Sequence, residues 1–217
     1  MTRRTNAGVA GFAFLFYIAV GITQLVLSSP TRAEGTAARL GLIAQHAWRI
    51  RTNIVLSLVI CVTAVVLATA LYAITRDEDR DLAVLALAFR LGEGLLIAFG
   101  MLTSLGLLWL ATDQDAVQAT TLAELLMQIQ GWNVTLTATL FALGSTVFSW
   151  LLLRGRMIPV GLAWLGVVAS VLLAVGLPLR LVDVVSGSVT QLLWLPMAAF
   201  EIPLGFWLML RGVRSTD

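Results

Sequence analysis

The chain has 217 residues, 59% of them apolar and 12% charged, with a formal net charge of +2. A soluble domain carries about 25% charged residues, so half that share in so apolar a chain places most of its mass in lipid. All 14 basic residues are arginine, which excludes P-loop, Schiff-base and other lysine chemistry, and so small and dispersed a charge excludes a nucleic-acid surface.

Six apolar runs are long enough to cross a bilayer: Ala7–Leu27, Ile50–Ile74, Leu82–Ala111, Ile129–Leu153, Ile158–Leu177 and Gln191–Leu210. Each is about 20 residues or more, and a helix rising about 1.5 Å per residue then spans the roughly 30 Å hydrocarbon core. The runs are continuous rather than alternating, which predicts helices and not barrel strands. The fold class is therefore all-α, a six-helix transmembrane bundle forming one domain.

The first run follows Arg3 and Arg4 in the manner of a signal peptide. It is long for such a segment, and Ser28-Ser29-Pro30 is a poor cleavage site, so it reads as a retained helix. The segment Ser28–Arg49 is the longest connection and is too short to fold alone. His46, the sole histidine, sits beside Trp48 at a span boundary and reads as an interfacial residue. One histidine and one cysteine, Cys61, supply neither a haem ligand pair nor a usual zinc site, and no intrachain disulfide can form. No cofactor and no metal are expected.

Arginine placement orients the chain. With the N-terminus in the cytoplasm, the inner segments hold Arg3, Arg4, Arg76, Arg80, Arg154, Arg156, Arg211 and Arg214, and the outer ones Arg32, Arg39, Arg49, Arg51 and Arg180. The segment Thr112–Glu124 carries three acids and no base. Both termini are thus expected inside. Trp48, Trp109, Trp132 and Trp194 fall near outer ends of the spans, and Trp150 and Trp207 near inner ends, as in an aromatic belt; Trp164 stands a little inside the fifth. The run Arg76–Asp81 reads as a solvated cytoplasmic turn, and Arg180 with Asp183 as a local ion pair.

Three ionisable residues lie within the spans: Arg90, Glu93 and Glu201. A charge in hydrocarbon costs from about 3 to more than 10 kcal/mol, so it persists when paired, protonated, wet or used. Glu93 lies 11 residues into the third run and Glu201 10 residues into the sixth, counted from opposite faces. Both fall roughly 15 Å deep, near the midplane. Arg90 precedes Glu93 by one turn and can share its face. Pro196 and Pro203 flank Glu201, deny hydrogen bonds to the carbonyls of Leu192 and Ala199, and are expected to break the helix into a polar pocket. One arginine against two glutamates leaves a surplus negative charge, so one glutamate, Glu201, is expected to hold a proton. The bland alternative is an interhelical clasp that fixes register without turnover.

Gln24, Asn53, Thr103, Ser104, Asn133 and Thr135 cluster toward the outer half and would line a vestibule there, or else make single interhelical hydrogen bonds. Ala7/Gly11, Gly100/Ser104 and Ala138/Ala142 have the spacing of close helix packing. No H-E-x-x-H, G-x-S-x-G or glycine-rich nucleotide loop occurs, so no catalytic residue is assigned and an enzyme acting on lipid is the weakest reading.

Several short stretches resemble one family. They are Arg3-Arg4-Thr5 with Ala7–Gly11, Ala70-Leu71-Tyr72 before the acidic turn, Ala88–Leu91 with Glu93-Gly94, Arg156–Pro159, and Glu201 leading to Trp207–Gly212. In this order and spacing the chain resembles the bacterial membrane family known as domain of unknown function 4386. The resemblance implies a six-helix inner-membrane protein and brings no activity, cofactor or catalytic residue. On the residues alone, the centre binds a small molecule or moves a proton, a role for which six spans would call for a homodimer. The rival is a non-catalytic partner of another membrane protein, with the charges as a structural pin. Apart from the bilayer, neither partner nor ligand is named by the residues.

Overall fold

The computed structural model describes residues 2–29, 34–113, 116–182, 184 and 187–214, with the side chains of all but 113, 116–119 and 187–191. Among the described residues seven helices follow one another: α1 (Arg3–Ser28), α2 (Thr36–Gln45), α3 (Ala47–Thr75), α4 (Arg80–Asp113), α5 (Ala116–Arg154), α6 (Val160–Leu181) and α7 (Gly187–Leu210). No strand occurs among the described residues. Six of the helices, all but α2, are long and apolar enough to cross a membrane. This is a multi-pass, all-helical membrane protein.

The helices start and stop where local chemistry dictates. Thr2 caps α1 by accepting from the Thr5 amide at 3.2 Å, and Asp79 accepts from the Leu82 amide at 3.1 Å at the start of α4. Between α5 and α6 the chain turns through Arg156, whose φ of 48° is left-handed, and Pro159 begins the next helix. The buried hydroxyls of Thr75 and Ser170 are satisfied within their own helices, donating to the Leu71 and Gly166 carbonyls. Lipid offers no other partner for such groups.

Two connections depart from expectation. The segment Ser28–Arg49 contains α2, whose Leu40 and Ile43 pack on Leu107, Leu108, Leu110 and Ala123 at the ends of α4 and α5. The stretch is too short to fold alone, but docking buries its apolar side. The helix that carries the fourth span begins earlier than position 129: it is helical from Ala116. Hydropathy marks where lipid starts, whereas alanine- and leucine-rich sequence keeps a helix going beyond that point.

The six long helices form a closed ring. α1 packs on α3, α3 on α4, α4 on α5, α5 on α6, α6 on α7, and α7 back on α1. Among the described residues α4 and α7 are not packed against each other. The closure between α7 and α1 depends on two glycines: a Cβ on Gly11 would stand 2.5 Å from the Gly205 carbonyl oxygen and the Met209 amide. Of the expected close-packing pairs, Ala7/Gly11 thus serves contact within the chain. At the end of the bundle holding the termini, Arg154 bridges to Glu78 at 3.2 Å and Asp79 at 3.3 Å, so the acidic turn is tied to α5 as well as solvated. Asp183 lies outside the described residues, and with it the pairing expected for Arg180.

Candidate functional site inside the ring

Arg90 and Glu93 are among the most deeply buried side chains, 2% and 1% exposed. Arg90 Nη1 lies 2.8 Å from Glu93 Oε2. Its N–H is not directed along that line, so the contact is a close charge pair without a well-aligned hydrogen bond. The other oxygen of Glu93 accepts a 3.0 Å hydrogen bond from the Tyr17 hydroxyl of α1. The guanidinium lies 4.8 Å over the Phe141 ring of α5, whose π face offers a second source of compensation. Its alkyl stem crosses α5 at Gly144, where a Cβ would come within 2.9 Å of Arg90 Cγ. Arg90 can lie there because position 144 has no side chain.

Glu201 is buried on α7. Its Oε1 has no hydrogen-bond partner, and its carboxyl makes no ion pair among the described residues. It stands within electrostatic reach of both Arg90 and Glu93 across the ring. The structure therefore joins Arg90 to Glu93 directly and leaves Glu201 in the neighbourhood of that pair with no ion pair to it among the described residues. The Phe200 ring beside Glu201 lies on Gly166 of α6, so closely that a Cβ there would meet it at 2.4 Å. A cavity of about 10 Å³, room for one water, is lined by Arg90, Ser145, Ser149 and Phe200.

α7 runs unbroken through Pro196 and Pro203, so the helix breaks expected there are absent. Each proline removes one N–H, but its fixed φ suits a helix, and packing within a bundle tolerates the loss.

A second, larger cavity of about 370 Å³ opens at the α2 end. Gln24, Asn53 and Ser104 line it, joined by Ser57, Gln130 and Arg39. Thr103 and Asn133, expected in the same vestibule, are not in its wall. Thr103 donates to the Gly100 carbonyl at 2.9 Å, and Asn133 donates to Leu96 at 2.9 Å, tying α5 to α4. Both are buried, because polar groups between lipid-embedded helices are drawn to the nearest free carbonyl. Thr135 likewise bonds within its own helix, to Gly131. The cavity reaches Gly21 of α1 and Ser57 of α3. One turn further in along the same helices stand Tyr17 and Cys61. Tyr17 bonds Glu93, and Cys61 donates to the Gly94 carbonyl at 3.3 Å. That layer separates the open cavity from the charge pair.

Tyr17, Phe141 and Gly144 are members of the site that sequence reasoning missed. Only Tyr17 carried a signal, a phenol near the middle of an apolar run. His46 bonds the Leu42 carbonyl at 3.1 Å at the α2–α3 junction. Among the described residues no three His, Cys, Asp or Glu side chains converge as a metal site would require. No curated protein and no solved structure matches the chain significantly. The family model described as Domain of unknown function (DUF4386) matches residues 9–212, and the chain belongs to that family.

Proposed function

We propose that the protein takes up and releases a proton at Glu201 in a centre poised by Arg90 and Glu93. The observation that carries this reading is the buried carboxyl oxygen of Glu201, unpartnered among the described residues, beside a pair that already cancels its own charge. A residue kept only to pin helices together would be expected to use its hydrogen-bonding atoms, since leaving a buried one unmet costs about 1–3 kcal/mol. Intramembrane acids retained at such cost are typically ones that work. As a carboxylate Glu201 would be the surplus charge; holding a proton removes it. The space beside Arg90 fits one water and nothing larger, which suits a proton better than a solute at that depth. The α2-end cavity supplies the approach, with Tyr17 as the last barrier before Glu93. In this reading the α2 end faces outward, and both termini face the cytoplasm of a bacterial inner membrane.

The test is proton flux into proteoliposomes under an imposed gradient, followed with an entrapped pH-sensitive dye. Glu201→Gln is expected to fold and to abolish the flux. Unchanged flux in that variant removes the proposal. The closed 2.8 Å contact of Arg90 with Glu93 favours one rival, a membrane accessory protein in which the charges clasp α4 within the ring. That rival expects Glu201→Gln to move only the melting temperature.

A further inference from the structure

The α2-end cavity has a definite hydrogen-bonding polarity, set by which of its amide atoms are already used. Gln24 Nε2 donates to the Asn53 carbonyl at 3.0 Å and to Ser57 Oγ at 2.8 Å. The backbone carbonyl can only accept, so the amide nitrogen must face it, and Gln24 is left with its carbonyl oxygen. Gln130 Nε2 donates to Ser104 Oγ at 3.0 Å, and that hydroxyl gives its own proton to Gly100. Gln130 is therefore also left with an acceptor. Asn53, in the same wall, has a buried Oδ1 with no partner at all. Three amide oxygens, on α1, α3 and α5, thus have no donor among the described residues, and that of Asn53 is buried.

The charge of the wall is equally one-sided. Among the described residues Arg39 of α2 lines the cavity, no acid does, and Arg39 has no ion-pair partner. Most of the remaining wall is aliphatic, with Ile43, Ile50, Ile54 and Leu107 in it. A volume of about 370 Å³ lies in the range of small-molecule sites.

From this arrangement we infer that the cavity binds a small aliphatic carboxylate bearing a hydrogen-bond donor at its α carbon, an α-amino or α-hydroxy acid. The guanidinium of Arg39 takes the carboxylate. The oxygens of Asn53, Gln24 and Gln130 take the α ammonium or hydroxyl, and the aliphatic wall takes the side chain. A simple fatty acid would leave the buried Asn53 oxygen unmet, and an amine would leave Arg39 unpaired. This inference does not rest on proton movement at Glu201, which is not part of the cavity wall, although the same cavity is the approach in that reading.

Calorimetric titration of the full chain in lipid nanodiscs tests it with four probes of one shape. L-leucine and 2-hydroxy-4-methylpentanoate carry both features; 4-methylpentanoate lacks the α donor, and 3-methylbutylamine lacks the carboxylate. One or both of the first two should bind at least tenfold more tightly than the last two. Arg39→Gln should cost at least tenfold for the bound acid. Asn53→Leu should cost it tenfold while leaving 4-methylpentanoate unchanged, a difference that misfolding would not produce. Discs with and without phosphatidylserine, whose headgroup carries the same pair of groups, distinguish sources. Competition by that lipid assigns a headgroup as the occupant; equal binding in both discs assigns the free acid. The inference is overturned if neither α-substituted acid binds wild-type protein, if 4-methylpentanoate binds as well as they do, or if Arg39→Gln changes nothing.

Discussion

The side chain of Arg90 crosses Gly144 so closely that a single added methyl would stand 2.9 Å from its Cγ and 3.0 Å from its Cδ. The burial of a guanidinium in the ring thus depends on a missing side chain one helix away. Gly144→Ala should lower stability by about 1–3 kcal/mol, the usual cost of overpacking, despite alanine being the better helix former. Gly161→Ala is the matched control, because a Cβ there meets nothing within 4 Å. It should be neutral or stabilising by up to about 1 kcal/mol. Thermal melting of both variants in the same detergent checks the pair.

Removing one member of the buried ion pair should cost more than removing both. Arg90→Gln leaves the Glu93 charge without its cation, and breaking a buried pair this way costs about 3–5 kcal/mol. Adding Glu93→Gln should recover part of that loss. A double-mutant cycle on denaturant or thermal stability measures the coupling, and strictly additive losses would show that the 2.8 Å contact carries no interaction energy.

Tyr17→Phe deletes only the hydroxyl that donates to Glu93 Oε1. A buried acceptor is left unmet, at a cost of about 1–3 kcal/mol. If Tyr17 is also the barrier between the α2-end cavity and Glu93, this variant should not slow access from that side. Proton–deuteron exchange at the protonated Glu201 carboxyl, followed by infrared spectroscopy, reads this out. Slower exchange than in wild type would contradict the barrier role.

At the opposite end, Arg154 is half exposed and its contacts with Glu78 and Asp79 are accessible to solvent. Arg154→Ala should cost about 0–1 kcal/mol, and the difference should shrink in high salt. A larger, salt-independent loss would mean that the turn between α3 and α4 is held more firmly than exposed charges can hold it.

Composition and run length alone determined that this chain crosses a membrane with six helices, because the hydrophobic demand of a bilayer is written residue by residue and needs no partner. The cost of charge in lipid singled out Arg90, Glu93 and Glu201 in the same local way. Contact was another matter. The pairing of Arg90 with Glu93 follows from one turn of one helix, but Tyr17 and Gly144 join them only because α1 and α5 close on α4, and no periodicity encodes which helices become neighbours. Thr103 and Asn133 looked like Asn53 and Ser104 in the sequence; tertiary packing buried the first two and left the others on the wall of a cavity. The ring also decided that Glu201 lies near the charge pair with no ion pair to it among the described residues, since α7 is held against α1 and α6 by glycines and stands away from α4.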